Sequence, residues 1–323
     1  MTRGGRANRV ETMTFTRPPR IAVGPDPDEL FDRAVVRGGG VPCRLDEQPD
    51  ALVWTGGPAG FPELLPESVR WVQLPAAGVE EWFAAGTVKA HPQVTWTSAA
   101  GAYAATVAEH ALALLLAGVR ALPAHLAASS WTPTEFYPKL GTLRGAVVGI
   151  IGAGGIGRAL IPMLAGIGAQ SLAVTRAGRP VPGAAETLPV DRIDELWSAA
   201  DHFVVAAPAT AKTVRLVGAR QFAAMKPTAW VINVARGSLV DTDALVDALS
   251  TGAIAGAGLD VTDPEPLPDG HPLWSLPNVI ITPHDSNPPA LRVPAFAEHV
   301  VENVTRFASG AELAAIIDSS AGY

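Results

Sequence analysis

Directly after the apolar run Val147–Ile151 the chain reads Gly152-Ala153-Gly154-Gly155-Ile156-Gly157, and a helical pattern of Ile156, Leu160, Leu164 and Ile167 follows. No other stretch restricts the fold as strongly. Where a strand turns straight into a helix, the first glycine permits the tight turn, the second lets a pyrophosphate approach the backbone, and the third lets helix and strand pack closely. The helix start then offers unbonded N–H groups and a partial positive charge to phosphate. A bare G-x-G-x-x-G is a weak signal, but between a strand and a helix it predicts dinucleotide binding by Gly152, Gly154, Gly155, Ile156 and Gly157. Pro162 falls inside the helical pattern and is expected to kink it.

The glycine turn belongs to a longer alternation of short apolar runs and helical stretches. Runs at 21–23, 51–54 and 71–74 precede it, and runs at 172–174, 203–206, 230–234, 254–259 and 279–281 follow. Short runs of this kind joined by crossovers indicate buried parallel strands. The two sets are separated by a long helical pattern over 104–122, which carries Glu109, His110 and Arg120 and is too short between charges to span a bilayer. After Pro288 and Pro289, the residues Phe296, Val300, Val304 and Phe307 recur at helical spacing, and this last helix is expected to pack on the first set.

The chain is therefore read as α/β, with two doubly wound parallel-sheet domains. A nucleotide-binding domain of Rossmann type over 109–287 is inserted in a discontinuous, flavodoxin-like substrate domain built from 21–108 and 288–323. The Pro/Gly-rich pieces at 38–42 and 56–62 are read as turns. Residues 1–20, with five arginines and little apolar content, are read as a disordered tail or as translation from a start upstream of Met13.

Composition removes several function classes. A formal charge of −7 argues against a nucleic-acid partner. Cys43 is the single cysteine, which rules out an internal disulfide and suits a reducing cytoplasm. The histidines show no ligand spacing such as H-E-x-x-H, so no metal site is expected, and there is no G-x-S-x-G elbow.

Three residues stand a few positions beyond strand ends in the last third of the chain: Arg236, Glu265 and His284. Ligands of open α/β sheets bind outside the carboxyl ends of the strands. A cation, a carboxylate and an imidazole placed there can hold an anionic substrate and move a proton. The second strand of the nucleotide-binding unit ends at Val174, and Thr175 and Arg176 follow where an NAD-binding fold usually carries an acidic residue for the ribose hydroxyls. A carboxylate would repel a 2′-phosphate and an arginine would pair with one, so NADP is preferred over NAD; an ordinary exposed arginine is the alternative.

Several strings extend the pattern: Val107-Ala108-Glu109-His110, the glycine turn, Pro208 with Thr210 and Thr213, V-I-N-V-A-R-G-S-L-V-D at 231–241, G-L-D-V-T-D-P-E-P at 258–266, and T-P-H at 282–284. Together they resemble the D-isomer-specific 2-hydroxyacid dehydrogenase family, which includes glyoxylate/hydroxypyruvate reductases and phosphoglycerate dehydrogenases. The resemblance runs from about residue 74 to 310. It implies hydride transfer from NAD(P)H to a small 2-oxo acid, giving a D-2-hydroxy acid, in a homodimer. By that resemblance Arg236 binds substrate, Glu265 is the carboxylate partner and His284 the acid/base. The chemistry agrees: a guanidinium fork suits a carboxylate and a keto oxygen, and a carboxylate on the imidazole orients its ring.

The resemblance further places Ala77 and Gly78 on the substrate carboxylate, Pro208 and Thr213 beside the cofactor ribose, Ala235 in the cofactor site, and Asp260 on the nicotinamide carboxamide. An acidic strand-end cap remains open for Asp260, and a plain glycine turn for Ala77-Gly78. Asp285-Ser286-Asn287-Pro288-Pro289 after the histidine depart from the family pattern, and the loop with Trp131 and Tyr137 has no assigned role. Formate dehydrogenases, which share the fold, pair the histidine with glutamine, so Glu265 speaks against them. The reading from another class is a nucleotide-sensing interaction protein with little turnover.

Overall fold

The computed structural model describes residues 16–318. It divides into two compact units, one formed by the chain up to Tyr103 and from Pro289 onward, the other by Ala104–Pro288. No helix among the described residues is long and apolar enough to cross a membrane.

The first unit is a five-stranded sheet of β1 (Arg20–Gly24), β2 (Val41–Cys43), β3 (Ala51–Trp54), β4 (Trp71–Gln73) and β5 (Thr95–Thr97), in the order β2-β1-β3-β4-β5. Every pairing is parallel. This is the flavodoxin-like order. The helix Glu29–Arg37 starts where the Asp28 side chain accepts from the Leu30 amide, and it buries Phe31, Ala34 and Val35. That face meets the helix Pro289–Ser309, as expected for the last helical pattern: the rings of Phe31 and Phe296 lie 5.2 Å apart. At Gly38 a Cβ would fall 2.5 Å from Val304, so only glycine lets the chain pass the helix.

Part of the expected tail, residues 16–20, lies within the described chain and is held in place. Arg20 is the first residue of β1, and buried Asp50 holds this stretch by accepting from the Arg20 amide at 2.7 Å and from Arg17 at 2.9 Å. Residues 1–15 of that expected tail lie outside the described residues. Pro42, read as part of a turn, sits in β2 opposite Ile21, which an edge strand tolerates because its outer N–H needs no partner.

The second unit is a seven-stranded parallel sheet of β6 (Val147–Ile151), β7 (Gln170–Thr175), β8 (Glu186–Pro189), β9 (His202–Val205), β10 (Trp230–Asn233), β11 (Gly256–Leu259) and β12 (Val279–Ile281). Its order, β12-β11-β10-β9-β6-β7-β8, reverses between β6 and β9 as in a doubly wound nucleotide-binding sheet. The helix Ala104–Val119 belongs wholly to this unit, so the break in the chain falls after Tyr103 rather than between 108 and 109. Packing explains why: Gly118 of the helix abuts the Trp230 ring so closely that a Cβ would lie 2.3 Å from it, and Leu114 packs on Gly258. The helix Gly155–Gly166 continues through Pro162.

His202, at the start of β9, is buried and its Nδ1 accepts from the Trp230 amide at 3.2 Å. Burial pushes its pKa from 6.5 down to about 4, with Asp201 pulling up and Lys226 pulling down. Because the folded value lies below the unfolded one, the neutral ring's contribution is complete above about pH 6.5. It is lost as pH falls toward 4, by about 3 kcal/mol in all. His202→Asn, whose Oδ1 can take the same amide, is expected to remove this slope; parallel melting curves between pH 7 and 4.5 in wild type and variant would refute it.

Candidate active site

The glycine turn has the geometry that a bound dinucleotide needs. Gly152 adopts φ +91°, and a Cβ there would lie 2.5 Å from the Ala207 backbone on the β9 side. At Gly157 a Cβ would press on Ile150 of β6 at 3.0 Å, which is the close helix–strand packing expected of the third glycine. Around Gly154 a Cβ would meet nothing within 4 Å, so the backbone is open to a ligand. The amides of Gly155, Ile156 and Gly157 open the helix and have no intrahelical acceptor. Thr175 Oγ1, at the end of β7, is buried without a hydrogen-bond partner, a hydroxyl left for water or ligand. Arg176 beside it is exposed. These residues fit a dinucleotide. After β9, the hydroxyl of Thr213 donates to Pro208 O at 2.8 Å and accepts from the Thr210 amide at 2.8 Å, which shapes the 208–213 loop.

Arg236, Glu265 and His284 all stand beyond the carboxyl ends of β10, β11 and β12. Buried Asn233, the last residue of β10, shapes the turn to Arg236: its Oδ1 accepts from the Ala235 amide at 3.1 Å and its Nδ2 donates to Arg236 O at 2.9 Å. The half-buried Arg236 side chain donates from Nη1 to Ala235 O at 2.7 Å. Gly237 then runs so close to Thr262 that the two turns are in backbone contact. Three residues on, Glu265 Oε1 lies 2.7 Å from His284 Nδ1, with both side chains about half exposed. A carboxylate accepts only, so Nδ1 carries the proton in this pair and Nε2 is the nitrogen left to exchange one.

His284 has φ +54°, in the left-handed region that side chains other than Gly, Asn and Asp seldom adopt. Asp260 holds it there. The Asp260 carbonyl accepts from the His284 amide at 2.8 Å. Its carboxylate, 1 % exposed, accepts from Thr282 Oγ1 at 2.6 Å, the Asp285 amide at 3.1 Å and the Ser286 amide at 3.3 Å. His110 of the Ala104–Val119 helix reaches the same point, with Nε2 2.9 Å from Thr282 Oγ1. Asp285, whose role the sequence left open, gives its amide to Asp260 and leaves its side chain exposed.

Asn233, His110 and Thr282 were not singled out as site residues in the sequence. Each occurs inside a quoted string (V-I-N-V-A-R-G, V-A-E-H, T-P-H), but no residue-level signal distinguishes a side chain that holds a turn from one that meets a ligand. Ala77 and Gly78 lie in the first unit, in the loop after β4.

The sequence model of the D-isomer-specific 2-hydroxyacid dehydrogenase NAD-binding domain matches residues 111–286. A Corynebacterium melassecola protein described as "uncharacterized protein in proB 3′region" is 42 % identical over 294 residues, covering 90 % of this chain and 95 % of that one. The mouse glyoxylate reductase/hydroxypyruvate reductase is 35 % identical over 270 residues, covering 80 % of this chain and 78 % of the mouse protein. Among solved structures, a D-isomer-specific 2-hydroxyacid dehydrogenase from Xanthobacter autotrophicus in complex with NADPH and MES superposes with a TM-score of 0.79 at 26 % identity, covering 95 % of this chain and all of that one. The glycine turn, the strand-end histidine–carboxylate pair and these likenesses agree, and the chain belongs to the D-isomer-specific 2-hydroxyacid dehydrogenase family.

Proposed function

We propose that this chain reduces a small 2-oxo acid to the D-2-hydroxy acid, with NADPH preferred over NADH. The single observation that carries the chemistry is the 2.7 Å contact between His284 Nδ1 and Glu265 Oε1, which leaves Nε2 to exchange a proton. When bound, the reduced nicotinamide supplies the hydride. Arg236 anchors the substrate carboxylate and polarises the keto oxygen, because its planar fork presents several donors. His284 Nε2 donates the proton that oxygen needs and recovers it in the oxidation direction. Glu265 keeps the ring turned and faces the imidazolium with a negative charge.

We assign Ala77 and Gly78 of the first unit to the substrate carboxylate. The amides of Gly155, Ile156 and Gly157 would hold the pyrophosphate, and Thr175 with Arg176 the 2′-phosphate. Pro208, Thr213 and Ala235 are assigned to the wall of the cofactor site. Asp260 we assign to the His284 turn rather than to the carboxamide, since its carboxylate already serves Thr282, Asp285 and Ser286. Leu122, Leu126, Trp131 (94 % exposed), Tyr137 and Leu140 gather apolar surface on one segment of the second unit, which supports a homodimer. The unpaired Cys43 suits the cytoplasm.

The test is NADPH and NADH oxidation with a panel of 2-oxo acids. NADPH is expected to be used faster, and Arg176→Ala to weaken that preference about tenfold, the value of one charge-assisted phosphate contact of roughly 1.5 kcal/mol. Cofactor binding without turnover of any panel member would replace the reductase by a nucleotide sensor. An unaltered preference in Arg176→Ala would remove the phosphate contact.

A further inference from the structure

In the first unit, three successive carbonyls of the loop after β4 are held, the first by Gln73 at the end of β4 and the next two by the segment 97–103. Leu74 O accepts from Gln73 Nε2 at 2.8 Å, Pro75 O accepts from the Tyr103 hydroxyl, and Ala76 O accepts from the Ala99 amide at 2.8 Å. A trans peptide is planar, and its C=O and N–H point to opposite sides. Fixing the Pro75 carbonyl on Tyr103 therefore aims the Ala76 N–H away from Tyr103. Fixing the Ala76 carbonyl on Ala99 aims the Ala77 N–H away from Ala99. Neither amide has an acceptor among the described residues. Two neighbouring donors are thereby held outward, and small residues on either side, Ala76, Ala77 and Gly78, leave them accessible.

The base of the loop is separately fixed. Gln73, fully buried, accepts on Oε1 from Asn303 Nδ2 at 2.7 Å and from Thr97 Oγ1 at 2.8 Å, and donates also to Ser98 O at 3.0 Å. Asn303 belongs to the helix Pro289–Ser309 and takes the Ala314 amide on its Oδ1 at 2.7 Å. Gln73 thus sets where β4 ends, and the Tyr103 hydroxyl sets the next peptide. Burial pushes the Tyr103 pKa up to about 12 against the opposing pull of Arg292, so the phenol remains a donor at every working pH.

We propose that Tyr103 is a positioning residue for substrate: its hydroxyl locks the Pro75 peptide so that the Ala76 and Ala77 amides form a two-donor cradle for the carboxylate of the 2-oxo acid. The proposal rests on the reading of this chain as a 2-oxo acid reductase. It adds Ala76 to the substrate contacts and gives Tyr103 a task two residues removed from them. A hydroxyl that merely filled space would affect melting and leave substrate binding alone.

The experiment is Tyr103→Phe, which removes one oxygen and keeps the ring. In the cofactor-loaded enzyme KM for the 2-oxo acid is expected to rise about tenfold, with kcat within about twofold and the Kd for NADPH unchanged. Oxamate, a non-reducible carboxylate of the same shape, is titrated into both NADPH-loaded proteins as a readout free of turnover and is expected to bind the variant more weakly by the same factor. Equal oxamate affinity in the two proteins, or a wild type that binds none, overturns the proposal. A wild type that binds oxamate more tightly than the variant but reduces no 2-oxo acid would sink the reductase reading and leave the cradle supported.

Discussion

His284→Asn is expected to lower kcat for 2-oxo acid reduction by about 10³-fold, within the range a positioned general acid contributes, while the Kd for NADPH and the melting temperature stay near wild type. The choice of asparagine follows from the backbone. His284 sits at φ +54°, a conformation asparagine adopts readily and alanine does not. An alanine variant would add strain to a turn already held by Asp260 and blur loss of chemistry with loss of structure. Asparagine keeps the turn and removes the imidazole Nε2 that is proposed to carry the proton. Single-turnover measurement with saturating NADPH isolates the step. A variant that transfers hydride at the wild-type rate would take the proton-donor role from His284 and leave the 2.7 Å pair with Glu265 without a chemical task.

The parts of this molecule legible in the sequence are those where one residue type has one physical reason to be there. Gly152, Gly154 and Gly157 were readable because a turn, an open backbone and a tight helix–strand contact each exclude a side chain, and the structure shows those three environments in that order. The strand runs of the second unit were readable because parallel strands are buried on both faces. By contrast β2 and β8 are short and partly exposed, and β5, though mostly buried, reads Thr-Trp-Thr, so none of the three presents an apolar run. Sheet order was open to inference only through the crossover rule and the family resemblance.

At the candidate site, the placement of Arg236, Glu265 and His284 beyond strand ends was legible from where charge follows the apolar runs. The shell that holds them could not. Asn233, Thr282 and His110 act through hydrogen bonds between segments far apart in sequence, His110 and Thr282 being separated by 172 positions. Asp260 shows the same limit from the other side: the sequence left a cofactor contact and a strand-end cap both open, and the three protein donors on its 1 % exposed carboxylate support the cap.

Gly237→Ala should expose how far the trio depends on that shell. Gly237 follows Arg236 directly, and a Cβ there would lie 1.9 Å from Thr262 O, 2.0 Å from Thr262 C and 2.6 Å from Asp263 N. These are backbone atoms, so no side chain can swing aside. One of two segments must move. The Arg236 turn is held by both ends of the Asn233 amide. The 262–265 loop is pinned by Thr242 Oγ1 on Asp263 O at 2.7 Å, and it ends in the carboxylate that orients His284. Either displacement misplaces a group with a proposed task, Arg236 on the substrate or Glu265 on the His284 ring, and a shift of about 1 Å costs on the order of 10²-fold in rate. We expect kcat/KM to fall at least about 10²-fold and the urea midpoint to report a loss of about 3 kcal/mol, the upper end of overpacking. Gly166→Ala is the matched control, since a Cβ at Gly166, at the end of the Gly155–Gly166 helix, meets nothing within 4 Å. Equal stability and activity in the two variants would mean that the contact between Gly237 and Thr262 is slack, and that Arg236 and Glu265 are positioned independently of each other.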